Sequence, residues 1–233
     1  MDYKDKDTDK KEKEISKSVY FSFYITYVLL LSTATITVIE AIRTQNPVIR
    51  HVLNLETCIS IVAGYFYSMF VAKLDNYKNE NRQINWSEIT QTRYIDWSIT
   101  TPMMLLTLCI VLGNNIQKTV SFGIFLIIVL FNYLMLYIGY LGEQQQINRI
   151  YASIFGFIPF IGMFYLIFSR FVLPKYRLDN YILFTIYVFI WSLYGIVYLL
   201  PEESKNIAMN ILDAIAKCFM GIGLWAYYTK IFA

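Results

Sequence analysis

Seven long apolar runs follow one another along the chain with short polar interruptions: Ser18–Ile42, Val52–Ala72, Thr92–Leu112, Thr119–Leu141, Ile150–Ser169, Tyr181–Leu200 and Asn206–Thr229. A helix needs about 20 predominantly apolar residues to cross the ~30 Å hydrocarbon core of a bilayer. Each run meets that length, so the pattern predicts an all-α membrane protein, a seven-transmembrane helix bundle. The connections are short, which leaves residues 18–233 as one compact bundle with no soluble domain. Asp75–Glu88 is the longest polar interruption, and it alone is long enough to fold back as a hairpin over one face. No internal repeat is present. No cleavable signal is expected either, because charges fill the N-terminus and the first run is too long for an h-region.

Composition sharpens the membrane assignment. Hydrophobic residues make up 57% of the chain and charged residues 16%, whereas soluble domains carry about 25% charged residues. Twelve of the 37 charges lie in residues 1–17, leaving 25 for the other 216 positions. A water-soluble surface cannot be covered with so few. The tail, residues 1–17, has the composition of a disordered segment. Its opening DYKDKDTDK also looks like an epitope-tag repeat. The net charge of +3 comes without a basic stripe in the body of the chain, so nucleic acid is not an expected partner. Cys58, Cys109 and Cys218 all lie in apolar runs, with no metal-ligand or disulfide spacing, and are expected as buried small side chains.

Orientation follows from lysines and arginines near the span ends. One side carries Arg43, Arg50, Lys118, Arg170, Lys175, Arg177 and Lys230. The other carries Lys73, Lys78, Arg82, Arg149 and Lys205, diluted by six acids. The first set is expected to be cytoplasmic, which places the N-terminus outside and the C-terminus inside. The six lysines of the tail argue the opposite way, an objection that weakens if the tail is a tag.

Five charges fall well inside the spans: Glu56, Arg93, Asp96, Asp213 and Lys217, with Glu40 nearer an end. A charge at mid-bilayer costs roughly 2.5–3.5 kcal/mol on insertion scales, so such residues mark function by default. The alternative is salt-bridge glue between helices. Asp213 and Lys217 are spaced i,i+4 and share a face. Arg93 and Asp96 are i,i+3, and Thr100 and Thr107 continue that face. Lys217 sits too deep to snorkel to either interface. It must be paired, neutral or covalently modified. A lysine Schiff base with an aldehyde cofactor meets that need, and two aspartates can neutralise the resulting cation.

These residues carry a resemblance. RYIDWSITTPMMLLTL (Arg93–Leu108) resembles the third helix of the microbial rhodopsins, and LDAIAK (Leu212–Lys217) their seventh, retinal-binding helix. WSLY (Trp191–Tyr194) is similar to the pocket segment of the sixth, and GYLGE (Gly139–Glu143) to the end of helix four in proteorhodopsin-like members. NLETCISIVAGYFYS (Asn54–Ser68) looks most like the rhodopsins of giant viruses. The resemblance implies all-trans retinal as a covalent Schiff base on Lys217. It makes Asp96 the primary counterion and proton acceptor, Asp213 the second counterion, and Arg93 the outward-side arginine. It makes Trp97, Thr101, Met104, Met135, Gly139, Trp191, Tyr194 and Tyr198 the pocket wall; Gly156 is a weaker candidate. Tyr67 and Tyr194 match tyrosines that bond the second counterion. Homologous proteins form trimers or pentamers, so a homo-oligomer in the lipid bilayer is implied as well.

The chain departs from the pump pattern at one place. Pumps of the family usually carry a carboxylate eleven residues after the counterion; here that position is Thr107, and the triplet reads Asp96, Thr100, Thr107. Glu56, one turn inside the second span, is positioned to face Thr107 and replace the missing donor. A carboxyl in apolar surroundings holds its proton at neutral pH. The alternative is a glutamate that caps the interface end of that span. Glu202 and Glu203 lie at the outer end of the sixth span, and Glu203 is nearest the family's proton-release position; a solvated loop pair is the other reading. The implied function is a light-driven outward proton pump, with the Schiff-base proton passing to Asp96 and resupplied through Glu56. The alternatives are a light-gated cation channel, with Glu56 lining a pore, and a sensory photoreceptor, although these 233 residues include no signalling domain. A chloride pump would normally lack the carboxylate at Asp96. A sodium pump usually carries Asn there and an acid at Thr100.

Overall fold

The computed structural model describes residues 16–229; the charged tail through residue 15 and Lys230 lie outside that range. Among the described residues, seven helices are long and apolar enough to cross a membrane. They are α1 (Lys17–Arg43), α2 (Pro47–Asn79), α3 (Trp86–Asn115), α4 (Phe122–Glu143), α5 (Arg149–Val172), α6 (Leu178–Val197) and α7 (Glu202–Thr229). Each packs against the next, and α7 returns to α1, so the bundle closes into a ring.

The ring is turned inside out relative to a soluble protein. Leu130, Ile158, Tyr165 and Phe189 are each more than 60% exposed on its outer surface, whereas Arg93, Asp96, Asp213, Lys217 and Glu56 are buried inside. Lipid accepts the outer side chains at no cost, and the interior concentrates the groups that lipid would reject. Of the cysteines, Cys109 and Cys218 are buried, but Cys58 faces outward.

Local sequence explains where the helices begin and bend. Asn46 accepts the Val48 N–H at 2.9 Å and precedes Pro47, and Asn148 accepts the Ile150 N–H at 2.8 Å. Both are side-chain caps on orphan backbone donors. Inside α3, Pro102 has no N–H for the Ser98 carbonyl one turn earlier. The Tyr133 hydroxyl of α4 donates to that carbonyl at 3.1 Å, so the helix break is satisfied from a neighbour. The turn after α3 is closed by Gly113: a Cβ there would lie 2.5 Å from the Lys118 carbonyl oxygen.

Two expectations are corrected. Asp75–Glu88 is not a folded-back hairpin. Helix α2 runs on to Asn79 and α3 starts at Trp86, leaving residues 80–85 as the turn. Continuing the helices satisfies their backbone groups, and Glu88 staples the two ends, bonding Lys73 at 2.9 Å and Tyr77 at 2.6 Å. Lys205 is not a loop residue. Helix α7 begins at Glu202, and Lys205 in its first turn is 1% exposed. Its ammonium contacts Glu143 of α4 at 2.8 and 3.0 Å and Glu202 at 2.8 Å. Arg149 of α5 completes the group, 3.8 Å from Glu143 and 3.7 Å from Glu202. Removing one partner of a buried pair leaves a charge uncompensated. Lys205→Met should therefore lower unfolding stability by about 3 kcal/mol, read as a drop in thermal midpoint in detergent, with Glu143→Gln in the Lys205→Met background recovering part of the loss.

Candidate functional site

Helix α7 carries the central cation. It changes from α-helical to π-helical hydrogen bonding over Ala214–Phe219, the segment that holds Lys217. Such wide turns commonly sit at functional sites. Lys217 Nζ lies 2.7 Å from Asp96 Oδ2 and 3.5 Å from Asp213 Oδ2. All three side chains are at most 1% exposed. The predicted i,i+4 pairing therefore forms, and α3 supplies the second carboxylate across the bundle.

The two aspartates differ in their surroundings. Asp213 accepts hydrogen bonds from Tyr194 at 2.7 Å, Tyr67 at 2.8 Å and Trp97 Nε1 at 3.3 Å, and lies 3.5 Å from Arg93. Asp96 has Lys217 alone, and its Oδ1 has no partner among the described residues. Thr100 donates to the Asp96 backbone carbonyl at 2.9 Å, not to its carboxylate. Asp213 is thus held as a fixed anion by three donors, while Asp96 retains an open oxygen able to take a proton. Two cations and two anions balance within one buried cluster, which offsets much of the cost of desolvating them.

Arg93 leads from this cluster toward the end of the bundle that carries Glu143. It is 1% exposed and packed among the rings of Phe23, Phe70 and Trp97. It donates to Asn210 Oδ1 at 2.8 Å, Asn206 Oδ1 at 3.2 Å and Tyr67 Oη at 3.2 Å. The two asparagines are not evident from the sequence pattern alone. Their spacing held a signal, since 206, 210, 213 and 217 fall on one helical face.

An apolar cavity abuts Asp213, with about 810 Å³ of non-atom space counting its open part. Trp97, Thr101, Met104, Met135, Gly139, Trp191, Tyr194 and Tyr198 all line it, as does Gly156. Tyr67 does not; it reaches Asp213 from α2. Two glycines keep the walls thin: a Cβ on Gly139 would lie 2.7 Å from the Tyr94 hydroxyl, and one on Gly195 2.6 Å from the Phe157 ring. Phe157, Phe160 and Gly195 also line the cavity but belong to no motif singled out above. In an aromatic-rich chain, only contact separates such residues from ordinary packing. Asn132 of α4 is a further buried polar residue that no motif flags; it donates to Thr101 Oγ1 at 2.8 Å.

In the opposite half, Glu56 is 2% exposed. Thr107 of α3 sits beside its carboxyl, as the span directions predicted. A Cβ on Gly221 of α7 would lie 2.9 Å from Glu56 Oε2, so the missing side chain at Gly221 makes room for the carboxyl. Val52, Val111 and Leu224, each one turn nearer that end of the bundle, form a small apolar cluster. Glu56 is therefore not an interfacial cap. Glu203 is not brought to the site. The register of α7 turns it outward, where it is exposed, while Glu202 and Glu143 take the inward contacts.

The sequence pattern described as bacteriorhodopsin-like protein matches residues 17–231. The chain is similar to the crystal structure of viral rhodopsin OLPVRII, with 43% identity over 92% of this chain and 99% of that one and a TM-score of 0.85. Two more distant structures share the fold: blue light-absorbing proteorhodopsin from Med12, at 22% identity and TM-score 0.72 over 91% of this chain and 97% of that one, and the proton pumping rhodopsin AR2 from the marine alga Acetabularia acetabulum, at 20% identity and TM-score 0.72 over 94% and 97%. No curated protein sequence matches. Seven membrane-length helices, a buried lysine between two aspartates, the family match and the 43% identity agree: this chain belongs to the bacteriorhodopsin-like family of microbial rhodopsins.

Proposed function

We propose that this protein binds all-trans retinal on Lys217 and pumps protons outward in the light, with its N-terminus extracellular and its C-terminus cytoplasmic. The observation that carries this reading is the placement of two buried carboxyls, Asp96 and Glu56, in different settings on either side of the Lys217 side chain. The residues present fit the cofactor. The cavity wall is aromatic and apolar, the amine is buried beside it, and Asp96 Oδ1 is unpartnered among the described residues. Retinal, held by Lys217 and this cavity wall, would supply a light-driven isomerisation that alters the basicity of the Lys217 nitrogen.

The chain's residues then move the proton. Asp96, 2.7 Å from the Lys217 nitrogen, accepts it. Asp213 keeps its charge, because Tyr67, Tyr194 and Trp97 all donate to it. Arg93 stabilises the two aspartates at rest, and the proton taken by Asp96 leaves past Arg93 toward the Glu143 end of the bundle, which restores Asp96 as acceptor. Glu56, protonated in its apolar site, returns a proton to the Lys217 nitrogen. The Val52, Val111 and Leu224 cluster keeps bulk water from short-circuiting that return.

Light-induced current under voltage clamp tests the reading. A pump holds one current sign at all voltages, whereas a light-gated cation channel reverses; reversal at the cation equilibrium potential would replace the pump reading by the channel one. In the same assay Asp96→Asn should remove the outward current and shift the absorption band to longer wavelength, because it deletes both the acceptor and a counterion 2.7 Å from the nitrogen. An unshifted band across a pH titration would show that Asp96 is not the counterion.

A further inference from the structure

Two hydroxyls near Glu56 behave differently from others in the bundle. A buried hydroxyl within a helix commonly returns its hydrogen bond to the backbone carbonyl one turn earlier. Thr33, Thr37, Thr57, Thr100 and Thr101 do so, at 2.6–2.9 Å. Ser60 and Thr107, both 0% exposed, do not, and neither oxygen has a partner among the described residues. Glu56 Oε1 is in the same condition. Ser60 is one helical turn from Glu56 on α2, and Thr107 sits against the Glu56 carboxyl, so the three atoms belong to one neighbourhood. Buried polar groups are rarely left unpaired, and where protein offers no partner ordered water commonly serves.

The helix register places this neighbourhood on the way to Lys217. Helices α2 and α7 run antiparallel. Glu56 lies against Gly221, and Tyr67 bonds Asp213. Positions 56, 60, 63 and 67 form one stripe on α2, so Ser60 falls between those two contacts, level with Lys217 and Cys218. Lys217 Nζ reaches onward from there to Asp96. A hydroxyl at the root of the lysine, one turn from the carboxyl and not committed to its own backbone, is available to bind water between them.

We infer that Ser60 is a positioning residue for the returning proton: its hydroxyl, with Glu56 Oε1 and Thr107 Oγ1, holds ordered water that links the Glu56 carboxyl to the Lys217 nitrogen. Glu56 gives its proton to that water as the water passes another to the nitrogen. The carboxylate left behind is refilled from the near end of the bundle. The inference rests on the reading of Glu56 as donor.

Two readouts on the retinal-loaded protein test it. Time-resolved absorption follows return of the proton to the nitrogen, and infrared spectroscopy in the dark follows the Glu56 carbonyl band, assigned by its loss in Glu56→Gln. Ser60→Ala should slow the return by about tenfold, the scale of one hydrogen bond lost from the path, and move the carbonyl band to higher wavenumber. Ser60→Thr, which keeps the hydroxyl, should restore both. If Ser60→Ala changes neither readout while Glu56→Gln slows the return, the inference falls and the donor reading stands. If Ser60→Ala and Ser60→Thr slow the return equally with the band unmoved, Ser60 only packs, and the inference again falls. If Glu56→Gln itself has no effect on the return, the donor reading and the inference fall together.

Discussion

Lys217→Ala should give a folded protein that takes up no visible colour when retinal is added. The imine needs a primary amine next to the cavity, and Lys217 supplies it through its place 3.5 Å from Asp213 of the cavity wall. The other fully buried lysine, Lys205, is held by Glu143 and Glu202 in the first turn of α7. Lys73 is engaged by Glu88 and Thr92 at the end of α2. None of those partners lines the cavity, whereas Lys217 lies 3.5 Å from Asp213, which does. The substitution also removes one of two cations from a cluster of two aspartates. An uncompensated buried charge costs about 3–5 kcal/mol, so one aspartate is expected to take up a proton. That aspartate is Asp96, because Asp213 keeps Arg93 and three hydrogen-bond donors. Absorption spectra before and after washing, with a helical far-ultraviolet spectrum as the folding control, measure the outcome. Retinal retained covalently on another residue would overturn the assignment of Lys217.

The second large effect is expected at Glu56. Glu56→Gln should leave the resting colour nearly unchanged, since a neutral carboxyl and a neutral amide one helical turn or more from the nitrogen add similarly little to the field at the chromophore. Return of the proton to the Lys217 nitrogen should slow by orders of magnitude and come to depend on bulk pH. Without Glu56 the proton must arrive from water past Val52, Val111 and Leu224. The sign is definite: the rate falls as pH rises, because the supply is then bulk hydronium. Azide, a small proton carrier, should restore the rate. Thr107→Val should do much less, as its hydroxyl sits beside the carboxyl and carries no proton of the cycle; the hydrogen bond to water that it gives up is worth roughly 1 kcal/mol. Flash absorption at several pH values decides it. An unaltered return rate together with changed conductance or ion selectivity would move the assignment to the channel.

The cost of placing charge in a bilayer makes part of this site legible in the amino-acid sequence. Charge in an apolar run is expensive, so Glu56, Arg93, Asp96, Asp213 and Lys217 stand out one by one, and all five are buried. Lys205 and Glu143 do not stand out, although their side chains are only 1% and 6% exposed. They lie at the ends of their runs, where charge is common and unremarked. Asn206, Asn210, Asn132 and Ser60 carry no charge and so raise no alarm along a linear string. Glu203 looks equivalent to Glu202 because adjacent positions differ only in the direction they face.

The amino-acid sequence by itself determined the number of membrane helices, their approximate limits and the residues whose charge demands an internal partner, because the bilayer acts on length and polarity, which are properties of a linear string. Only the tertiary structure decided which partner each charge meets. Helices apolar on every side carry little information about which face turns inward. That choice emerges from packing seven of them together, from the π-helical turn at Ala214–Phe219 and from the room that Gly139, Gly195 and Gly221 leave for side chains on neighbouring helices. The open oxygen on Asp96, the two asparagines on Arg93 and the unpaired hydroxyl of Ser60 are products of that packing, for each depends on what the opposite helix brings within about 3 Å, the reach of a hydrogen bond.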